Sequence, residues 1–310
     1  MKIAWIGTGV MGKSMLLHLV HGGHSVSAYN RTKAKALDLA KDGVKVCDSI
    51  EECVSDAELV CTMVGYPKDV AEVYQKIFPS VQVGTILIDF TTSSPKLAQQ
   101  LYKEAKNHGL DILDAPVSGG DSGAKAATLS IMVGGDKKIF ETVTPVLSLL
   151  GNSLHYMGEA GSGQHTKACN QIAVAGAVAA MSEAIVYAEQ NHLDVETMLE
   201  AIKGGAAGSW QIANTAPRVL QKDFAPGFYI HHFIKDMHIV QEEMAGKVDL
   251  PMLNTVCEMY EELAQTEGNN GTQALVHYYR KLSKVTKRSE VLTFFMLAIL
   301  LFFFKVLFDK

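Results

Sequence analysis

A lysine and an asparagine stand three residues apart in the segment Gly161–Asn170, at the start of a predicted long helix. A lysine donates or accepts a proton in an enzyme once desolvation lowers its pKa. Residues three apart share a helical face, so Asn170 can hydrogen-bond the ligand on which Lys167 acts. Helix lysines are more often solvated, but the alanine-rich, otherwise apolar helix around this one favours catalysis. The pair predicts Lys167 as general acid/base and Asn170 as substrate-binding.

A glycine-rich loop, Gly7-Thr-Gly9-Val-Met-Gly12, follows the first predicted strand and opens the first predicted helix. Its glycines suit a tight turn, a close approach of pyrophosphate to the backbone, and close packing of helix on strand. Unpaired N–H groups at the helix N-terminus attract phosphate. An accidental match is the alternative, but the position between strand and helix favours dinucleotide binding. The predicted cofactor-binding residues here are Gly7, Gly9, Val10, Met11 and Gly12.

The end of the second predicted strand indicates which dinucleotide is bound. An NAD site places a carboxylate there to accept the ribose hydroxyls, whereas this chain has Asn30-Arg31-Thr32. An arginine between small polar groups suits a 2′-phosphate, which it binds through charge-assisted hydrogen bonds. Arg31 as a merely solvated residue is the alternative. The sequence predicts NADP, with NAD less favoured, bound through Asn30, Arg31 and Thr32.

Two polar segments follow later strands, at the sheet edge where α/β proteins bind ligands. Ser118, Gly119 and Gly120 offer a hydroxyl and accessible backbone N–H groups, an arrangement that binds a carboxylate. An ordinary glycine turn explains them equally well. Thr92 is predicted to border the cofactor's nicotinamide, although a helix cap explains most of the polar run around it. These residues predict a small carboxylic acid as the substrate.

The composition is that of a soluble enzyme. The chain has 310 residues, 48% of them apolar and 20% charged, which suggests about two domains. A net charge of -5 offers no basic surface for nucleic acid. Five cysteines without a CxxC pair indicate reduced thiols. The N-terminus leaves no room for a signal peptide, so we expect a cytoplasmic protein.

The histidines receive no chemical role. His165 lies two residues before Lys167 and therefore points to a different face of the helix. His231 and His232, with His238 nearby, have no carboxylate or cysteine partner at ligand spacing. The sequence therefore predicts no metal site.

Strands and helices alternate through the first 163 residues, and only helical patterns follow. This alternation predicts a parallel, doubly wound sheet. The predicted architecture is an α/β Rossmann dinucleotide-binding domain (1–163) followed by an all-α C-terminal domain (164–285), joined by a long interdomain helix from His165 to Gln190. Residues 286–310 form an apolar tail. Single helices are also predicted over Thr32–Lys41 and Ser209–Leu220.

Four motifs, in this order and spacing, resemble those of the β-hydroxyacid dehydrogenase family. They are Gly7–Gly12, Asp114–Gly120, Gly161–Asn170 and Phe233–Asp236, and the resemblance extends to the region of residue 282. It implies a homodimer or homotetramer with the active site between a Rossmann domain and a helical domain. The family's activity is hydride transfer between a nicotinamide and a short β-hydroxyacid or semialdehyde.

The same resemblance implies a role for each motif. Lys167 would be the general acid/base and Asn170 would position the substrate. Lys235 would contact the cofactor, supported by Asp236. The residues that would hold the substrate carboxylate are Ser118, Gly119 and Gly120. Which hydroxyacid or semialdehyde is used does not follow from these motifs.

Two functions from other classes stay open. A non-catalytic NADP-binding module uses the same fold for recognition, but such proteins tend to lose the lysine that this chain has at position 167. An imine reductase-like enzyme would typically not carry a lysine there. Turnover of short semialdehydes, of cyclic imines, or of neither, discriminates the three.

The C-terminus departs from the family pattern. Val291–Phe304 is apolar apart from Thr293, and extension to Phe308 is interrupted only by Lys305. A membrane-spanning helix needs about 20 residues, so this segment is short, with Lys305 reaching the interface. Three interpretations stay open: membrane contact through residues 291–308 of a protein that remains cytoplasmic, a helix in an oligomer interface, or an end foreign to the native protein.

Deletion of residues 286–310 is expected to leave a folded, soluble enzyme with unchanged kcat, because all four motifs precede Lys281. The intact chain should sediment with membranes or require detergent, since such an apolar run does not stay exposed in water. Sedimentation and kcat of both forms test this. Loss of folding or of the oligomer on deletion would show that the segment belongs to the core or an interface.

Overall fold

The computed structural model describes residues 1–283, which divide into two compact units. The first unit is Met1–Ala173 together with His231–Asn254. The second is Val174–Ile230 together with residues 255–283. The predicted apolar tail, 286–310, lies outside the described residues. All of the predicted site residues belong to the first unit.

The first unit contains one nine-stranded sheet. Its strands are β1 (Lys2–Ile6), β2 (Ser25–Tyr29), β3 (Lys45–Val46), β4 (Leu59–Thr62), β5 (Ile86–Asp89), β6 (Asp111–Asp114), β7 (Val117–Ser118), β8 (Ser130–Gly134) and β9 (Ser153–Gly158). The order is β3-β2-β1-β4-β5-β6-β8-β7, with β9 paired to β8. Strands β1 to β6 pair in parallel. Their carboxyl ends therefore meet at one edge, where α/β sheets bind ligands.

Eleven helices have defined bounds within the described residues. They are α1 (Val10–His21), α2 (Ile50–Val54), α3 (Pro67–Ile77), α4 (Pro95–Asn107), α5 (Gly120–Ala126), α6 (Lys137–Leu147), α7 (Ser162–Gln190), α8 (Val195–Lys203), α9 (Ala216–Leu220), α10 (Ile230–Met244) and α11 (Pro251–Glu267). Residues 275–283 are also helical. No strand follows β9 in the described chain, so the predicted order of a Rossmann sheet, a long helix and a helical region is confirmed.

The sequence predicted a parallel sheet, but the observed sheet is mixed. Strand β8 runs antiparallel to β6 and β7. A parallel pair requires a crossover connection, usually a full helix. Only β7 and the seven-residue α5 lie between β6 and β8, so the chain returns in the opposite direction.

Two predicted helices were wrong in detail. Thr32–Lys41 is instead a pair of 3-10 turns, Lys33–Lys35 and Leu37–Asp42. Only Ala36 and Leu39 of this stretch are buried, which is little tertiary packing to stabilise a full helix. Ser209–Leu220 begins with a π-helical turn, Gln211–Thr215, before α9. Pro217 has no N–H to donate to the preceding turn, which favours this irregularity.

Two apolar clusters cover the two faces of the sheet. Ile3 and Trp5 of β1 belong to one cluster, and Ala4 and Ile6 belong to the other. Successive side chains of a strand point to opposite faces, so this alternation means that both faces are buried. Within the described residues, α7 alone is long and apolar enough to span a membrane. Half of its apolar window is buried.

Gly163→Ala is expected to lower the free energy of unfolding by about 1–3 kcal/mol, because the start of α7 is overpacked by any side chain there. An added Cβ would lie 2.4 Å from Met132 O and 2.7 Å from Asp114 O. Chemical denaturation measures the effect. Gly204→Ala is the control, since a Cβ there meets nothing within 4 Å. Equal stability of the two variants would contradict the expectation.

Candidate active site

The glycine loop after β1 brings backbone segments together where no side chain fits. Gly7 has φ +101°, and a Cβ there would lie 2.1 Å from Met63 O. A Cβ on Gly12 would lie 2.1 Å from Gly7 O. Gly9 has open space around it. The first and third glycines therefore serve the packing of the loop, and the second leaves room for a ligand.

The N-terminus of α1 fits an anionic group. Its first turn has no acidic residue, and no side chain caps it. Thr8 is 4% exposed, and its Oγ1 has no hydrogen-bond partner. A buried hydroxyl without a partner is rare and indicates a missing ligand or water. Val10 is exposed at this end of the helix, and Met11 packs against the core. These residues fit the pyrophosphate of a dinucleotide.

Asn30 ties the glycine loop to the end of β2. Its Oδ1 accepts the Thr8 N–H at 2.9 Å, and its Nδ2 donates to Thr32 O at 2.9 Å. Arg31 is exposed and donates from Nη1 to Asp69 Oδ1 at 3.1 Å. One guanidinium nitrogen is engaged in this bond, so the other N–H donors remain for a ligand. The carboxylate expected of an NAD site is absent from this strand end.

Lys167 is buried and has an unusual environment for a lysine. Lys167 is 7% exposed, and no hydrogen bond or ion pair joins its Nζ to another described residue. Burial lowers the pKa of Lys167 to about 8, an effect opposed by the charge of Asp236 and reinforced by that of Lys235. A buried lysine whose pKa lies near neutrality can exchange a proton with a ligand.

A chain of hydrogen bonds and one ion pair connects Asn170 with Thr92. Asn170 Nδ2 donates to Gln171 Oε1 at 2.8 Å, and Gln171 Nε2 donates to Asp236 Oδ2 at 2.6 Å. Lys235 Nζ lies 2.7 Å from Asp236 Oδ1 and donates to Thr92 O at 2.6 Å. The Oδ1 contact is an ion pair without hydrogen-bond geometry. Gln171, which the sequence did not indicate, thus links Asn170 to three other predicted residues: Asp236, Lys235 and Thr92.

The start of α7 is held by two buried polar side chains. Asp114 accepts the backbone N–H of Gly161 at 2.8 Å and of Gln164 at 2.9 Å. Burial raises the pKa of this carboxyl, and the two N–H donors oppose the effect. The Gln164 amide accepts from Ser93 N and donates to Thr91 O. Sequence reasoning placed Asp114 in a motif but gave neither residue this role.

The predicted carboxylate-binding segment lies at the end of β7. Ser118 is the last residue of that strand. Gly119 and Gly120, the cap and the first residue of α5, adopt φ of +133° and +64°. Such positive φ values favour glycine. No hydrogen bond joins these three residues to Lys167 or Asn170 in the described chain. Their common site with Lys167 therefore stays a prediction.

Two family models match consecutive parts of the chain. Residues 2–158 match the family described as the NAD binding domain of 6-phosphogluconate dehydrogenase, and residues 161–279 match the NAD-binding region of NADP-dependent 3-hydroxyisobutyrate dehydrogenase. The oxidoreductase YkwC of Bacillus subtilis is 48% identical over 90% of this chain and 99% of its own. A probable 3-hydroxyisobutyrate dehydrogenase-like protein of Arabidopsis thaliana is 42% identical, over 93% and 88%.

The chain belongs to the β-hydroxyacid dehydrogenase family. As a member, it is an NAD(P)-dependent oxidoreductase of the 3-hydroxyisobutyrate dehydrogenase type. The solved 3-hydroxyisobutyrate dehydrogenase of Mycobacterium tuberculosis, in a structure with L-serine, is 32% identical with a TM-score of 0.83. It covers 90% of this chain and 99% of its own. The imine reductase of Myxococcus stipitatus is 19% identical over 90% and 100%, with a TM-score of 0.60, and shares the fold.

Substitutions of the two charged residues that act on Lys167, Asp236 and Lys235, are expected to move its pKa in opposite directions. Asp236→Asn removes an anion and should lower the pKa of Lys167 below its value of about 8. Lys235→Met removes a cation and should raise it. Acylation by a small reagent, followed by mass spectrometry against pH, reports the neutral amine. A shift in the same direction in both variants would contradict this electrostatic account.

Proposed function

We propose that this β-hydroxyacid dehydrogenase is an NADP-dependent 3-hydroxyacid dehydrogenase or semialdehyde reductase in which Lys167 is the general acid/base. The observation that carries the proposal is a buried lysine, with a pKa of about 8, three residues before Asn170 on α7. Surface lysines have neither property. The motif similarity and the family's activity support the same assignment.

Lys167 would exchange one proton with the substrate's oxygen. In oxidation, neutral Nζ accepts the hydroxyl proton as the C–O bond becomes a carbonyl. In reduction, the ammonium form stabilises negative charge on the carbonyl oxygen and donates the proton. A pKa near 8 keeps both forms accessible near neutral pH. NADP(H), when bound, supplies or accepts the hydride.

Ser118, Gly119 and Gly120 would bind the substrate carboxylate. Gly119 and Gly120 have positive φ and carry no side chain, so their backbone N–H groups would be accessible to an anion. Asn170 would hold the substrate's oxygen-bearing end next to Lys167. Binding at both ends fixes the reacting carbon, which is how orientation contributes to rate.

The glycine loop and the end of β2 would bind NADP. Gly7, Gly9, Val10, Met11 and Gly12 would surround the pyrophosphate, and Asn30, Arg31 and Thr32 the adenosine 2′-phosphate. Lys235 and Thr92, which bond each other at 2.6 Å, would border the nicotinamide. The open space at Gly9 and the partnerless Thr8 hydroxyl support this assignment.

The remaining proposals concern assembly, boundaries and location. We propose a homodimer or homotetramer, as the family similarity suggests, and a cytoplasmic protein. We propose domain boundaries at 1–163 and 164–285, with residues 286–310 as an apolar tail that is a membrane anchor, an interface helix or an end foreign to the native protein. Light scattering tests the oligomeric state, and cell fractionation tests the location.

NADPH is expected to bind at least about ten-fold more tightly than NADH, because Arg31 would pair with a phosphate that NADH lacks and a charge-assisted hydrogen bond contributes about 1.5–3 kcal/mol. Arg31→Asp should reverse the preference. Fluorescence titration of each cofactor measures both constants. Lys33→Asp, the same charge change two residues away on a lysine paired with Asp48, should change the preference less. Equal affinities in the unmodified protein would refute the assignment.

Lys167→Ala is expected to lower kcat by about 10²–10⁴ while the Kd for NADPH stays nearly constant. Lys167→Arg should be equally inactive, because a guanidinium does not lose its proton at working pH. Rates with a panel of short semialdehydes and hydroxyacids measure this, with cyclic imines as the contrasting substrates. Lys138→Ala, at an exposed lysine of α6, is the control. Near-normal turnover in either Lys167 variant would make that lysine structural.

A further inference from the structure

Gln171 is a buried amide that the proposed chemistry does not use. It is 2% exposed, on α7 directly after Asn170. Both of its side-chain polar atoms are engaged, one with Asn170 at 2.8 Å and one with Asp236 at 2.6 Å. A buried side chain that hydrogen-bonds two site residues restricts the orientation of their side chains.

The direction of these hydrogen bonds is fixed from the Asp236 end. A carboxylate accepts hydrogen bonds and has none to donate. Asp236 forms an ion pair with Lys235 at 2.7 Å. Gln171 must therefore turn its NH₂ group towards Asp236 and its carbonyl oxygen towards Asn170.

The orientation of Gln171 then determines the orientation of Asn170. A carbonyl oxygen accepts, so Asn170 must present its NH₂ group to Gln171. The carbonyl oxygen of Asn170 makes no hydrogen bond to any described residue, and one of its two amide hydrogens is left over. Asn170 is only partly buried, so both groups are open to a ligand. Lys167 lies three residues earlier on the same helical face.

We propose that Gln171 is a positioning residue that transmits the polarity of Asp236 to Asn170, so that Asn170 meets the substrate with a fixed acceptor and a fixed donor. This proposal rests on the proposed function, in which Asn170 binds the hydroxyacid. The Oε1 and Nε2 atoms of Gln171 are already bonded to Asn170 and Asp236. Without it, the amide of Asn170 rotates, and a hydroxyl or carbonyl oxygen meets the wrong group in part of the molecules.

Gln171→Met tests the proposal, because methionine keeps the length and helix propensity of glutamine and removes both hydrogen bonds. KM for the best hydroxyacid of the panel should rise by about three- to ten-fold, the loss expected for one oriented hydrogen bond. We expect kcat to change by less than about three-fold and the Kd for NADPH to be unchanged. An unchanged KM would overturn the proposal.

Gln164→Met is the matched control, at a second glutamine of α7 that is also 2% exposed. Its amide bonds the backbone of Thr91 and Ser93, which flank Thr92, and not Asn170. This variant should weaken NADPH binding and lower the Tm without a selective rise in KM for the acid. If both variants changed KM, Kd and Tm alike, Gln171 would be merely structural.

A paired substitution tests the polarity itself. Gln171→Glu alone places two carboxylates against each other and should raise KM. In the double variant Gln171→Glu with Asp236→Asn, the new carboxylate accepts from both neighbouring amides, so Asn170 keeps its orientation. We expect KM in the double variant to lie below that of either single variant. Additive damage would overturn the proposal.

Crystal structures of the unmodified protein and of Gln171→Met separate this proposal from the proposed function. The Asn170 side chain should keep one rotamer in the former and lose it in the latter, whether or not any hydroxyacid is turned over. An unchanged Asn170 rotamer would overturn the role of Gln171. Absence of turnover with every hydroxyacid and semialdehyde, with the rotamer change present, would refute the function alone.

Discussion

The bond between the Asp114 carboxylate and the first backbone N–H groups of α7 is the interaction on which the rest of the site depends. Asp114 is the last residue of β6. Its carboxylate accepts the backbone N–H groups of Gly161 at 2.8 Å and Gln164 at 2.9 Å. It thereby fixes the residue at which the helix begins. Each residue of an α-helix advances the chain by about 1.5 Å and turns it by about 100°. A helix that began one residue later would present a different face where Lys167 now lies.

Close backbone packing reinforces this bond. A Cβ on Gly134 of β8 would lie 2.5 Å from Asp114 Oδ1 and 2.8 Å from Gly163 N. The strand, the carboxylate and the helix start are therefore in direct contact, with no room for side chains between them. Gln164 extends the same anchorage to the loop after β5. Short polar contacts at the sheet edge thus determine the position of the site. The apolar clusters hold the sheet and the helices together.

The sequence was sufficient for the strands, most helices and the motifs, since these depend on local periodicity and on glycines at required turns. The 3-10 turns over 33–42 and the direction of β8 were not predictable in this way, because they follow from packing and connection length. In the candidate site, the placement of Lys167 and Asn170 on one helix was predictable from their spacing, and their roles stay predictions. Gln164 and Gln171 were not predictable, because their roles depend on partners such as Ser93 and Asp236, which are distant in the chain.

The segment His231–Asn254 belongs to the first unit although 57 residues of the second unit, Val174–Ile230, separate it from Ala173. During synthesis the N-terminal part of the first unit, Met1–Ala173, emerges first, and domains tend to fold in order of translation. The sheet and the glycine loop can then form before Lys235 and Asp236 exist. Until those two residues arrive, Gln171 has no carboxylate to bond and Lys167 has no neighbouring charges. The nascent chain therefore acquires a dinucleotide-binding fold before the charged and polar neighbours of Lys167 are in place.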